Sequence, residues 1–278
     1  MSNTRKAIRQ ESAFRFDGRA LVSTATGGTT STVIDTARLQ DSGSTSTNEY
    51  VGGWVLPTSG NGAGVTKPIT TYAPSTGTIT QGGTVWAGVI ANGDEYELHE
   101  LLDPRDWNNC IDRGLRRCTK LRKDALTLVA SQLQYALSSQ TTLESPKHVE
   151  RITLRHGATA NQYTWEELSP ASWWIEDDDD VLTLVLRSAI TPQADLAMYI
   201  EYVGAYDALA TDATTTTCPL DWACAAAIMV AWERFGKQVD ERSVPTLQSR
   251  TDATKTFWEQ CSIWAPKMNR VVAFQDGF

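Results

Sequence analysis

The sequence is poor in the residues that carry most enzymatic chemistry. It has three histidines, His99, His148 and His156; none has a metal-ligand spacing and none neighbours an obvious nucleophile. The H-E-x-x-H, G-x-S-x-G and G-x-x-x-x-G-K-[ST] motifs are all missing, which takes away the chemistries those spacings support. The five cysteines (Cys110, Cys118, Cys218, Cys224, Cys261) are odd in number, widely spaced and without a C-x-x-C pair. They read as reduced, mostly core thiols of a protein made in a cytoplasm. No apolar run is long enough to span a bilayer: Leu220–Phe235 has only 16 residues and carries Asp221 and Glu233. The opening "MSNTRKAIRQESAFRF" has no apolar core and is not expected to act as a signal peptide. Excess positive charge is lacking too. The formal net charge is −8, so nothing draws the whole chain to nucleic acid or an anionic membrane.

What is present is ordinary for a folded chain: 278 residues, 41% of them hydrophobic, enough for one large or two small domains. Residues 4–16 fit a short amphipathic helix through Ile8 and Phe14. From about Leu21 to Glu100, short β-prone runs alternate with Gly, Pro, Ser and Thr turns, with Gly27-Gly28 as a hairpin turn. Asp103 can cap a helix that Pro104 opens, continued by Trp107, Cys110, Ile111, Leu115 and Cys118. A second helix is expected over Asp124 to Leu137. Arg151–Arg155 and Leu196–Tyr202 alternate as strands. Pro219 precedes an alanine-rich helix to about Gly236, apolar nearly all round and hence buried. A last helix, Pro245 to Trp264, has Phe257, Trp258, Cys261 and Trp264 on its apolar side. The expected class is α+β: a helical bundle with a β-barrel or sandwich-like N-terminal module and further antiparallel strands. The expected divisions are a β-rich module (1–102), a helical domain (103–264) with strands inserted at about 148–204, and a tail (265–278).

Asp177–Asp180, in "WWIEDDDDVLTLVL", tests for a metal site. An EF-hand loop needs Gly at its sixth position and Glu at its twelfth, which here are Leu182 and Ser188. The run therefore reads as an exposed hairpin turn before the strand Val181–Leu186, with weak cation binding at a subunit interface as the alternative. "GNGAG" (Gly60–Gly64) precedes a strand pattern rather than a helix, and reads as a hairpin tip. Neither catalytic residues, a metal set nor a cofactor motif emerges. Six basic residues, Arg113, Arg116, Arg117, Lys120, Arg122 and Lys123, fall together without an acid among them. They are either the solvated face of a helix or a contact for an acidic partner, a neighbouring subunit or passing nucleic acid. Ten tryptophans are many for one modest core, and aromatics are enriched at interfaces. In the tail "KMNRVVAFQDGF", Val271, Val272, Phe274 and Phe278 are too apolar for a free end; the segment either docks on a partner by strand addition or folds back.

The stretch with Asp35, Leu39, Tyr50, Gly53, Trp54, Val55, the Gly60–Gly64 tip, Ile69 to Tyr72, and Tyr96 to Leu98 resembles a β-module of tailed-bacteriophage virion proteins. "DPRDWNNCIDRGLRRC" looks like the Pro-led helix of phage neck proteins, with Asp112 and Gly114 departing from its "I-N-x-A-L" core. "CPLDWACAAAIMVAWERFG" is similar to the long alanine-rich helix of head–tail adaptors. The resemblance implies a non-enzymatic virion structural protein of the head–tail adaptor (connector) family. It implies a dodecameric homo-oligomeric ring in the virion neck, assembled in the host cytoplasm without a membrane. Its partners would be the portal protein, docked by the tail, and a downstream tail or neck protein, with genomic DNA passing non-specifically through the channel. Another tail, baseplate or fibre-attachment component stays open, as does a carbohydrate-binding tail module with an aromatic platform near Trp54 and Trp86.

Overall fold

Short runs of alternating apolar and polar residues build antiparallel strands, and four longer segments among the described residues build α-helices. The structure, a computed structural model, describes residues 2–17, 20–41, 43, 46–137, 146–156, 164–178, 181–190, 196–240 and 250–265. The described chain is mixed α and β, with several antiparallel sheets. It divides into two units. The first joins Met1–Leu115 to Ala208–Ser262, and the second is Arg116–Asp207 with Ile263–Phe278. These limits cut the chain differently from 1–102 and 103–264: the first two long helices and the β-module share one unit, and the inserted strands begin at 116.

In the first unit, β2 (Leu21–Thr24), β3 (Gly27–Gly28), β4 (Thr32–Ile34), β5 (Trp54–Pro57), β6 (Lys67–Ala73), β7 (Thr78–Gln81) and β8 (Glu95–His99) form one sheet, ordered β2-β8-β5-β6-β7-β4-β3. Its two edges, β2 and β3, are separated in sequence only by Ala25 and Thr26. The switch is made by two backbone bonds, Ala25 N–H to the Asp94 carbonyl and Thr26 N–H to the Ile34 carbonyl. The sheet must therefore curl tightly around Val33, Val55, Ile69, Ile79, Trp86 and Tyr96. Among the described residues no ladder joins its edges, so it is not a closed barrel. Gly27-Gly28 lies in β3 rather than at a turn, and Thr29–Ser31 turns the hairpin instead. Gly60–Gly64 does lie in the β5–β6 connection.

The helices of this unit are α1 (Arg5–Asp17), α2 (Pro104–Leu115), α3 (Leu220–Asp240) and α4 (Arg250–Trp264). Thr4 caps α1 through the Ala7 N–H at 3.1 Å, and Asp103 accepts from the Arg105 N–H at 2.8 Å. Phe16, Trp107, Ile228, Trp232 and Ala253 bring all four helices into one core. Gly114 lets α2 approach α3 closely: a Cβ there would lie 2.8 Å from the Ala227 nitrogen. The alanines of α3 thus serve a near backbone-to-backbone contact, and the helix is buried through Ala223–Trp232. On α4 the expected apolar side holds only in part. Phe257 is buried, whereas Trp258 is 64% and Trp264 48% exposed. Residues 241–249, including Pro245, lie outside the described residues. A two-stranded ladder, β1 (Asn3–Thr4) with β16 (Thr215–Thr216), joins the chain start to the segment before α3.

The second unit packs two sheets face to face. One is ordered β12-β11-β15-β9: β12 (Thr164–Glu167), β11 (Pro146–His156), β15 (Leu196–Ala205) and β9 (Thr119–Leu126). The other is β10-β14-β13: β10 (Gln134–Ala136), β14 (Val181–Leu186) and β13 (Trp173–Asp178). Leu126, Tyr135, Ile152, Leu154, Trp173, Ile175, Leu184, Met198, Ile200 and Tyr202 fill the space between them. Met198, Ile200 and Tyr202 share the inward face, as alternation requires. The helix expected over Asp124–Leu137 does not form. Its first residues finish β9, Gln134–Ala136 is β10, and Leu126, Tyr135 and Leu137 are core residues of the sandwich. Asp177 and Asp178 end β13, with Asp178 opposite Val181; Asp179 and Asp180 lie outside the described residues.

Candidate functional site

Strand β8 sorts its residues by parity. Tyr96 and Leu98 enter the β-module core, and Glu97 and His99 take the other face. Glu97 is 1% exposed, so its charge needs a partner, and α1 supplies one. Arg9 Nε and Nη2 donate to the two Glu97 carboxylate oxygens, each at 2.8 Å. The same guanidinium donates twice to Asp212, at 2.7 Å each, and to Asn108 Oδ1 at 2.9 Å. Gln10 adds a bond to Glu97 at 3.0 Å, and His99 Nε2 lies 2.9 Å from Glu97 Oε2. Burial alone would raise the Glu97 carboxyl; the hydrogen bonds from His99 and Arg9 and the charge of Arg9 outweigh it and hold the group at about 2. Burial also opposes ionisation of Asp212, but Arg9 and Arg5 bring its carboxyl below the usual range.

The other imidazole nitrogen is not used. His99 is 2% exposed, and its Nδ1 has no hydrogen-bond partner among the described residues. A cleft of about 650 Å³ is lined by Ala20, Leu21, Ser46, Glu49, Tyr50, Ile69, Leu98, His99 and Glu100. Tyr50 packs edge-on against Tyr72, centroids 4.9 Å apart. Its phenol is pushed up to about 12, by burial first and then by the charges of Glu49, Tyr72 and Glu100. Among the described residues no group of three His, Cys, Asp or Glu side chains could hold a metal ion.

Several residues that carry the phage-module resemblance take framework roles in the β-module. Asp35 is fully buried and accepts from Ser23 Oγ at 2.6 Å, Tyr96 Oη at 2.7 Å, and the N–H groups of Ala37 and Arg38 at 2.9 and 3.0 Å. Those bonds overcome burial and keep its carboxyl below the usual range. Tyr72 Oη donates to the Leu39 carbonyl at 2.5 Å. At Gly53 a Cβ would lie 2.7 Å from the His99 carbonyl oxygen, so glycine there lets the neighbouring backbones meet.

The basic stretch is not one helix face. Arg113 lies in the last turn of α2, Arg116 and Arg117 follow in a turn, and Lys120, Arg122 and Lys123 belong to β9. Arg122 donates to both Asp207 oxygens at 2.9 and 3.0 Å, and Lys120 lies 3.9 Å from Asp207. Lys123 pairs with Glu201 at 3.2 Å and sits 3.9 Å from the centre of the Trp165 ring. Much of the local positive charge is therefore matched across strands. Val271, Val272, Phe274 and Phe278 lie outside the described residues. Trp86 is 2% exposed, so it offers no surface platform beside Trp54. All five cysteines are free thiols, four of them buried; no helix among the described residues is long and apolar enough to cross a membrane.

Sequence reasoning missed the Arg9–Glu97–His99 assembly. The available signal was "YELH", where an acid and a histidine share one face of a strand whose other face is apolar. A buried acid in that position calls for a cation, but nothing local indicates that it comes from residue 9. No family model matches the chain, and no curated protein matches it in sequence.

Proposed function

We propose that the chain is a non-enzymatic virion structural protein, a head–tail adaptor that forms a ring between portal and tail with an open channel for DNA. One observation carries the reading: the residues that resemble the phage β-module converge in one sheet and its core. Asp35, Leu39, Tyr72 and Tyr96 bind one another directly, and Gly53 admits the adjoining strand. Residues spread over more than sixty positions thus act as a single folding motif, as a shared module would require. In this reading α1 to α3 supply the adaptor's helical bundle, and the exposed end of α4, with Trp258, Ile263 and Trp264, is ring or neighbour contact surface. A ring of identical subunits needs two different complementary surfaces on each protomer, and a chain with two separate units can offer both.

Electron microscopy of the purified full chain, alone and mixed with the portal of the same virion, tests this. The expected result is a closed ring with an axial channel that caps the portal. A chain that stays monomeric in both samples overturns the proposal.

A further inference from the structure

We propose that residues 267–274 of a second copy add as an antiparallel strand to the open edge of β13. The choice of a second copy as donor rests on the ring reading above; the strand addition itself does not.

β13 is the outer strand of the order β10-β14-β13. All six of its residues pair with β14 on one side, and among the described residues no backbone bond is made on the other. An edge of that length is a template for another strand. Its sequence decides which strand can use it. Trp173 and Ile175 belong to the sandwich core, Trp174 and the exposed Glu176 take the other face, and the strand runs on as Asp177 and Asp178. Three acids and no base make a second β13 a poor mate, since full antiparallel overlap sets the acids of each against Trp173–Ile175 of the other. The complement is carried by the chain itself. "KMNRVVAF", residues 267–274, lies outside the described residues; it has two bases, no acid and an apolar second half. Laid antiparallel with Arg270 opposite Glu176, it sets Val271 opposite Ile175, Val272 opposite Trp174 and Ala273 opposite Trp173. Opposed residues share a face, so Val271 and Ala273 continue the core while Arg270 and Val272 meet Glu176 and Trp174 on the other side. Laid parallel with Arg270 still at Glu176, the segment sets Lys267 beside Trp173 and the valines beside Asp177 and Asp178. Main-chain bonds hold an added strand, and alternate side chains select it. Edge and segment are different parts of one protomer, so each copy gives its segment to the next, a head-to-tail contact that can close as a ring.

Full chains carrying Glu176→Cys or Arg270→Cys are mixed in equal amounts under oxidised glutathione. The Cα atoms of an opposed antiparallel pair lie about 5 Å apart, within disulfide reach. A mixed disulfide-linked dimer is expected, about tenfold above the yield of either variant alone. Lys267→Cys in place of Arg270→Cys is three residues, or about 10 Å, out of register and should give only that background. Both cysteines in one chain should link successive copies into a ladder. Absence of the mixed dimer overturns the proposal and is the result if the segment docks on a different protein. A double variant whose disulfide stays within one chain also overturns it, because the segment then folds back on its own strand. Charge is checked without added cysteines. Glu176→Lys should weaken self-association about tenfold in sedimentation, and adding Arg270→Glu should restore it; a Glu176→Lys chain that associates like the wild type overturns the register. Electron microscopy of the oxidised mixture separates this proposal from the adaptor reading. Linked copies in open chains or dimers leave the strand addition standing and count against the adaptor; closed rings without the link do the reverse.

Discussion

Replacing Arg9 with Met should be among the most damaging single substitutions in the first unit. The guanidinium makes five hydrogen bonds: two to Glu97, two to Asp212 and one to Asn108. The two acids do not count equally. Asp212 is 31% exposed, so water can replace much of what Arg9 gives it. Glu97 is 1% exposed and would keep only Gln10 and His99. Stranding one member of a buried pair costs about 3–5 kcal/mol. For a unit of this size that is a fall of about 6–20 °C in melting temperature. Urea unfolding followed by tryptophan fluorescence measures it, since Trp107 and Trp232 flank Phe16 in the same unit. Adding Glu97→Gln to Arg9→Met removes the stranded charge, and should recover about 2 kcal/mol as a coupling energy. The pH dependence has a definite sign. The Glu97 carboxyl falls from 4.5 to about 2 on folding, so its contribution is full above 4.5 and is lost as pH drops toward 2. The gap between wild type and Arg9→Met should therefore narrow over that window. A loss under about 1 kcal/mol, or a double variant no better than the single, would refute the account.

Three other outcomes are expected. Gly114→Ala should cost about 1–3 kcal/mol or more, because its Cβ would meet α3 backbone 2.8 Å away; calorimetry of the variant checks this. Tyr96→Phe should cost about 1.5–3 kcal/mol in urea unfolding, the worth of a buried hydrogen bond to the ionised Asp35. Arg122→Glu should destabilise the second unit by about 1–3 kcal/mol, since it sets a carboxylate against Asp207 and removes a bidentate partner. Trp173, buried in that unit's core, is the fluorescence probe, and an unchanged transition there would count against the pairing.

Local chemistry made several elements legible. The Asp103-Pro104 start of α2, the Pro219 start of α3 and the alternation of Met198, Ile200 and Tyr202 are decided within a few residues. The segment Asp124–Leu137 was misread because its composition suits a helix, while its placement is decided by distant strands. Tyr135 lies opposite Leu184, and Asp124 opposite Ile200. Such pairing overrides propensity, and no local signal announces it. The basic stretch failed similarly: Lys123 reads as surface charge until Glu201 and Trp165 are brought to it across the sheet. The cleft was the least legible feature. His99 carries no motif, and its role depends on Glu97 sharing its face and on Arg9, which lies 88 residues from Glu97.

The discontinuity of the first unit bears on how the chain is made. Arg9 and Glu97 are already synthesised when Asp212 is still 203 residues from Arg9 along the chain, and α3 follows later still. At about 5–20 residues per second, the wait between Arg9 and Asp212 is roughly 10–40 s. All the strands of the second unit's two sheets lie within that interval, and its sandwich is complete when Ala205 pairs with Thr119. The ribosome therefore delivers a foldable middle before the beginning can close. Through this delay the faces of α1 and α2 that α3 will cover stay exposed in the nascent chain. Slowing synthesis between residues 120 and 210 would lengthen that exposure without altering the finished protein.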